Sequence, residues 1–445
     1  MIAMLLFNSC GDEIKPVAPV PVYTITVNPT QTHQEMIGFG GALTWYSNWV
    51  TNSSNKNQIA DLIFTDLGID IVRFKNWYYP DGYPTTTSTS VMTDDNSKLH
   101  WDATNELYTM LKARTPSAKV LLSSWGPPAG LKSNSSTRQG TLKKDGGGNF
   151  MYNEFGDYWV NLLDHAPFNP DYISIQNEPT YINAGWTTCE WAATETASLP
   201  SYMVSFDNVY NKIKDRPNAP VMIGPESQDV STFISFVNLL KDKEHCGIYG
   251  YHPYNINSGS SDSQIALQLQ TIAGFNTKPS MMTEFSDNLD WFKTANFIQS
   301  CLINANASGY IYWKLSWATP STGTDAALVS VNTGGQYTVT PYFHLIKHFS
   351  KNIDAGYKRV EAISQHSSVS ASAFINPANN KLTIILINTN TGSISVDFSV
   401  ADKTISGLTA VQSKVGTYYQ SVEGATVTDP ITLPGLSITT VVLDI

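Results

Sequence analysis

Residues 172–179 read Tyr-Ile-Ser-Ile-Gln-Asn-Glu-Pro. The run is short, apolar where it begins and closed by a proline, the pattern of a buried strand that ends at a loop. Outward from it, comparable runs recur at 36–43, 69–74, 119–125, 220–224, 247–252, 279–283 and 309–313. Segments of helical period follow them at 55–67, 105–115, 152–165, 202–216, 230–240, 263–273, 291–307 and 342–350. Eight strand–helix alternations predict an α/β fold, a closed (β/α)8 TIM barrel over residues 36–350. The rival is an open doubly wound sheet, which carries a glycine-rich phosphate turn after its first strand. Gly38-Phe-Gly-Gly41 lacks that spacing.

Beyond residue 351 the pattern changes. Lys-Leu-Thr-Ile-Ile-Leu-Ile-Asn (381–388) and Ser-Ile-Thr-Thr-Val-Val-Leu (437–443) are rich in β-branched residues, with Gly, Asn, Asp and Pro at short intervals between them. These residues predict a side antiparallel β-sandwich domain over 351–445. The alternating Val-Tyr-Thr-Ile-Thr-Val of 22–27 predicts that segment 22–35 pairs with it, so both chain ends meet in one domain.

Size and charge narrow the function. A chain of 445 residues suits a barrel plus a smaller domain. A net charge of −10 argues against nucleic-acid partners, whose phosphates need a basic surface. It suits a neutral substrate. The 22 Tyr, 18 Phe and 11 Trp fill cores and also offer flat faces for sugar rings. Cys10, Cys189, Cys246 and Cys301 match no zinc spacing, and the three after Cys10 predict buried thiols rather than a disulfide framework. No phosphate-binding loop, nucleophile elbow, His-Glu-x-x-His or EF-hand run occurs, so neither cofactor nor metal is expected. No apolar run reaches the ~20 residues of a membrane span. The apolar start closing at Ser9-Cys10 resembles a bacterial lipoprotein signal, and Lys-Pro-Val-Ala-Pro-Val-Pro-Val (15–22) reads as an extended tether. Residues 1–21 are therefore expected to be signal and tether. The product is expected to be a secreted or surface lipoprotein of a Gram-negative periplasm or outer membrane. A lipid on Cys10 would anchor an otherwise monomeric protein.

Active sites of β/α barrels lie at the C-terminal ends of the strands. The fourth strand ends at Glu178 and the seventh, Met281-Met-Thr-Glu-Phe285, at Glu284. Two carboxylates facing each other across a barrel mouth are what glycoside hydrolysis needs: one protonates the leaving oxygen and the other attacks or activates water. Each carboxylate alone is more readily a surface group; the joint placement carries the reading. Asn177 is placed to hold a sugar hydroxyl. Arg73 ends the second strand, where it can pair with Glu284. Tyr254 and His252 follow the sixth strand, Tyr254 as a donor to the nucleophile and His252 as a core or sugar contact. Trp125 and Trp313 end the third and eighth strands and can floor sugar subsites. Trp317, Trp45, Trp77 and Trp186 are weaker aromatic candidates, and Glu226 is expected to orient its neighbours.

Taken in order, Gly38-Phe-Gly-Gly-Ala42, Ser124-Trp-Gly-Pro-Pro128, Ile173-Ser-Ile-Gln-Asn-Glu-Pro179, Met282-Thr-Glu284 and Tyr312-Trp313 resemble glycoside hydrolase family 30. So do Phe349-Ser-Lys-Asn-Ile-Asp-Ala-Gly-Tyr357 and Arg359-Val-Glu-Ala362, where that family re-enters its side domain. The resemblance covers nearly the whole chain from Val22. It implies retaining hydrolysis of β-glycosides, with Glu178 as acid/base and Glu284 as nucleophile. The pattern is most similar to the bacterial endo-xylanase subfamily, subfamily 8. Glucuronoxylanases of that group carry Arg-Arg-Ser-Tyr-Gly after the strand-eight Trp, to hold a glucuronate branch. Here the run is Lys314-Leu-Ser-Trp-Ala-Thr319, with Trp317 and Thr319 where the clamping Arg and Tyr belong. The expectation is an endo-β-1,4-xylanase that does not depend on glucuronate. Family alternatives are a β-1,6-glucanase, a β-1,6-galactanase and a glucosylceramidase. Outside catalysis, the alternative is a surface glycan-binding lipoprotein.

Overall fold

Successive side chains of a strand point to opposite faces, and this alternation builds the barrel in two layers. In the computed structural model, which describes residues 21–78, 97–286, 289–319 and 327–445, Ile71 joins Ala42, Leu121, Ile223, Ile248, Met281 and Ile311 in one buried interior cluster. The intervening Val72, Phe74, Val120, Leu122 and Met282 face outward into the larger core shared with the helices. Strand β1 (Val22–Glu35) precedes the barrel. The barrel strands are β2 (Gly38–Leu43), β3 (Ile71–Lys75), β4 (Lys119–Ser123), β5 (Tyr172–Ser174), β6 (Val221–Ser227), β7 (Cys246–Tyr251), β8 (Ser280–Phe285) and β9 (Ala307–Tyr312). They close in chain order, with β2 parallel to both β3 and β9.

Polar N-caps start several of the covering helices. Ser201, Asp229, Ser261 and Asp290 each accept a hydrogen bond from the backbone N–H three residues on. Pro341 occupies the first turn of Pro341–Ser350, where its missing N–H costs no bond. The helix expected over 55–67 is divided: Lys56–Ala60 passes into a π-helical stretch, Asp61–Asp66.

Three short strands that the sequence reading left as loop follow the barrel: β10 (Ser316–Ala318), β11 (Val329–Val331) and β12 (Tyr337–Val339). Runs of three residues carry too little periodicity to stand out. Their sheet matters because Trp317 sits on it, opposite Ser330.

The side domain comprises β13 (Lys358–Ser364), β14 (Val369–Ile375), β15 (Lys381–Asn388), β16 (Ile394–Val400), β17 (Gly407–Lys414), β18 (Thr417–Ser421), β19 (Ile431–Leu433) and β20 (Ser437–Asp444). With β1 they form a nine-stranded order, β18-β17-β20-β15-β14-β13-β1-β16-β19. The sequence predicts antiparallel pairing throughout, and one pair departs from it. β1 inserts between β13 and β16, and running antiparallel to the first makes it parallel to the second. A separate core, including Ile25, Val27, Leu382, Ile384 and Val441, fills this β-sandwich. Polar bonds tie it to the barrel. His348 bridges Thr440 and Ser413 at 2.8 and 2.7 Å, and Gln299 Nε2 donates to the Ile385 carbonyl. Cys189, Cys246 and Cys301 are buried and free. Cys10, the signal and most of the tether lie outside the described residues. Among those described, no helix is long and apolar enough to cross a membrane.

Candidate active site

Glu178, Glu226 and Glu284 reach the barrel mouth through local backbone irregularity. Glu178 and Glu226 adopt left-handed φ values of 48° and 51°, costly for non-glycine residues and held only where surroundings enforce them. The Glu178 N–H donates to the Glu226 carbonyl at 2.9 Å, locking the two turns together. On β8 the pairing with β9 slips between Met282 and Phe285, so one extra residue is accommodated and Glu284 turns toward the mouth. A like slip in the β6–β7 pairing accompanies Glu226.

Arg73 organises these groups. It lies two positions above Ile71 on the inward face of β3 and is fully buried. Its Nη1 donates to Glu284 Oε2 at 2.5 Å and its Nη2 to Asn177 Oδ1 at 2.6 Å. Its Nε donates to Ser123 Oγ at 3.0 Å and lies 3.1 Å from Glu226 Oε1. The guanidinium stacks on Trp125, 4.5 Å from the ring centroid. Tyr254 Oη donates to Glu284 Oε1 at 2.9 Å, so both oxygens of that carboxylate receive a donor. With Asn177 Oδ1 held by Arg73, its Nδ2 amide is the group left for a ligand.

His252 Nδ1 and Glu178 Oε1 share a hydrogen bond of 3.0 Å. Burial, then the charge of Arg73, keeps His252 well below its usual pKa, so the ring is neutral. Burial and the negative charge of Glu284 push Glu178 well above the usual carboxylate range, against the pull of Arg73. Burial also raises Glu284, but Arg73 and the Tyr254 hydroxyl oppose it there. The pair is thereby differentiated: Glu178 is the group favoured to carry a proton, and Glu284 the one furnished with donors for a negative charge.

Glu178, His252 and Glu284 present oxygen and nitrogen atoms all within 4.8 Å of one another. The trio has metal-ligating atom types, but Arg73 already supplies the positive charge at Glu284 that a cation would bring.

The carboxylates open into a cleft of about 790 Å³. Trp125 and Trp313 stack at 5.9 Å with 30° between ring planes, and Trp45 meets both edge-on. Trp317 packs on Trp45, Tyr46 and Trp313, and the Lys314 ammonium stands 5.0 Å from its ring centroid. On the cleft wall after β5, Tyr181 stacks with Trp186. Of the sequence candidates, Asn177, Glu178, Tyr254, Glu284, Trp125, Trp313, Trp317, Trp45 and Trp186 line the cleft, while Arg73 and His252 sit directly behind it. Trp77 does not contribute: it is buried, stacked on His100. Tyr46, Tyr181, Gln228 and Asn255 also line the cleft and were not singled out from sequence. Tyr46 and Tyr181 follow strand ends within a few residues, the one signal that pointed to them.

No protein-family model matches the chain. The chain is 22% identical over 413 residues to an endo-1,6-β-D-glucanase of Aspergillus fumigatus, covering 82% of this chain and 81% of the relative. It is 23% identical over 322 residues to the glucuronoxylanase XynC of Bacillus subtilis, covering 68% of each. Among solved structures, the family 30 subfamily 8 xylanase Xyn30A of Clostridium acetobutylicum superposes with a TM-score of 0.70 at 22% identity, over 95% of this chain and 100% of that one. The barrel with its side sandwich is the architecture that this solved glycoside hydrolase shares. The particular fold is that of glycoside hydrolase family 30.

Proposed function

We propose that the protein is a retaining β-glycan hydrolase of family 30, with Glu178 as acid/base and Glu284 as nucleophile. The observation that carries this reading is the spacing of the two carboxylates, with oxygens within 4.8 Å. Retaining enzymes hold the pair ~5–5.5 Å apart, whereas inverting enzymes need ~6.5–9.5 Å to admit a water between acid and base. Glu284 attacks the anomeric carbon as the glycosidic C–O bond breaks, and the Glu178 proton passes to the leaving oxygen. Glu178, now a carboxylate, takes a proton from water. That water attacks the same carbon and releases Glu284 with net retention. Arg73 and Tyr254 favour the ionised form of Glu284 against its burial, and the Asn177 amide faces the sugar hydroxyl beside the reacting carbon. Glu284→Ala is expected to abolish turnover, and added azide to restore product of the opposite anomeric configuration. Full activity in Glu284→Ala sinks the assignment.

The substrate we favour is β-1,4-xylan cut without reference to glucuronate. Support comes from the run 314–319, where Trp317 presents an apolar ring in place of a guanidinium fork, and a lysine is a point charge rather than a planar clamp. Parallel digestion of glucuronoxylan and arabinoxylan tests this. Products placed always relative to glucuronate branches overturn it. The glucanase relative favours a second reading, β-1,6-glucan, because it matches more of the chain than the xylanase relative does. Reducing-sugar release across both polymers separates the two. We further propose that Cys10 carries a lipid, on the strength of Ser9-Cys10 following an apolar run. Cys10→Ala is then expected to move activity from the membrane fraction to the soluble one.

A further inference from the structure

At the base of the cleft one guanidinium contacts two carboxylates, and a third stands close by. Arg73 touches Glu284 at 2.5 Å and Glu226 at 3.1 Å, and Glu178 is joined to Glu226 through the backbone at 2.9 Å. Glu226 is the odd member. It is completely buried and does not border the cleft, so it cannot meet a substrate. Among the described residues its carboxylate oxygens accept no well-formed hydrogen bond: Arg73 Nε, 3.1 Å away, donates to Ser123 Oγ and meets Glu226 as an ion pair. A buried carboxylate in this condition is expensive to keep and calls for an explanation. The chain makes room for it: a Cβ at Gly250 on the neighbouring strand would stand 3.0 Å from Glu226 Cγ.

We infer that Glu226 is a positioning residue that holds Arg73 from behind and, through its negative charge, keeps the proton on Glu178. The inference rests on the assignment of Glu178 and Glu284 as the catalytic pair. The charge count supports it. Without Glu226, more of the positive charge of Arg73 would act on Glu178 and Glu284, draw both toward ionisation and loosen the hold on the proton that the first step needs. The charged groups bearing on Glu178 are Glu284, Arg73, Glu226 and Asp229, and Glu226 is among those that disfavour its ionised form. His252, its hydrogen-bond partner, is neutral. Glu226 disfavours ionisation of Glu284 in the same way.

Glu226→Gln keeps the shape and removes the charge. Both limbs of the kcat/KM–pH profile are expected to move to lower pH by about one unit, the size of one charge acting across a buried site of moderate effective dielectric. KM at the new optimum is expected to stay close to that of the parent enzyme, since Glu226 does not meet the cleft. An unmoved profile, or a rate lowered by one factor at every pH, overturns the inference. If thermal melting shows that Glu226→Gln does not fold, Glu226→Asp and Glu226→Asn carry the test, since they differ in charge and not in length. The Asp profile should hold its position and the Asn profile shift; coincident profiles overturn the inference. Glu284→Ala separates the two levels. If it is inactive while the Glu226 profiles do not move, this inference alone fails; if it is fully active, the catalytic assignment fails as well.

Discussion

Tyr254 Oη donates a 2.9 Å hydrogen bond to Glu284 Oε1, while Arg73 donates to the other oxygen of the same carboxylate. Glu284 is thus bracketed by donors from β3 and from the loop after β7, two elements that meet only because the barrel closes.

Tyr254→Phe removes the donor and leaves the ring. A hydrogen bond to a carboxylate favours its charged form, so its loss raises the pKa of Glu284, and the acid limb of the profile moves to higher pH. A charge-assisted bond of ~1.5–3 kcal/mol corresponds to a fall in kcat of roughly 10- to 100-fold. Stopped-flow or steady-state rates across pH check both shift and size.

Glu178→Ala should discriminate leaving groups. Glycosides with poor leaving groups are expected to lose about 10²–10⁴ in kcat/KM, the usual worth of general acid catalysis. A dinitrophenyl glycoside needs no proton and should keep its value. Equal losses on both substrates contradict the acid role.

Arg73→Met leaves Glu226 and Glu284 buried without their cation. Breaking such a pair by removing one partner costs about 3–5 kcal/mol, so the thermal midpoint should fall by several degrees. Circular dichroism or calorimetry measures it. An unchanged midpoint would contradict a stabilising pairing of Arg73 with these carboxylates.

Trp317→Ala removes a ring packed on Trp45, Tyr46 and Trp313 at the cleft wall. The expected result is a KM raised roughly two- to tenfold with kcat nearly kept, from lost stacking of about 0.5–1.5 kcal/mol. Oligosaccharide kinetics distinguish this from loss of chemistry.

His348 links the two domains and carries a pH prediction. Burial, then the charges of His344 and Lys347, lowers its pKa from 6.5 to about 3. Between those values the unfolded chain binds a proton that the folded chain does not. The stability contribution of His348 is therefore fully present above pH ~6.5 and is lost as pH falls toward 3, with a slope approaching 1.4 kcal/mol per pH unit. His348→Gln should flatten the decline in melting temperature between pH 6.5 and 4 relative to the parent. Parallel curves would refute it.

The strands of the barrel were legible because their signal is local. Short apolar runs alternating with helical patterns mark β2 to β9 within a few residues. Helices Tyr152–His165 and Val230–Leu240 start and stop where apolar spacing places them, the second with Asp229 as its cap. The strands β10 to β12 escaped, since three residues carry almost no period. Tyr46 and Tyr181 escaped because aromatic residues a few positions past a strand end are as common in cores as in clefts.

What the amino-acid order determined by itself was which residues end the parallel strands, and therefore that Glu178, Glu284, Arg73 and Asn177 come to one rim. Tertiary structure decided how they meet. The separation of the carboxylates depends on barrel closure and on register slips in β6 and β8, which no linear pattern encodes. The insertion of β1 beside β16 is likewise settled by partners hundreds of residues away. Side-chain periodicity is a property of a few neighbouring residues. Distances across a barrel mouth, and the proton affinities that follow from them, belong to the closed fold.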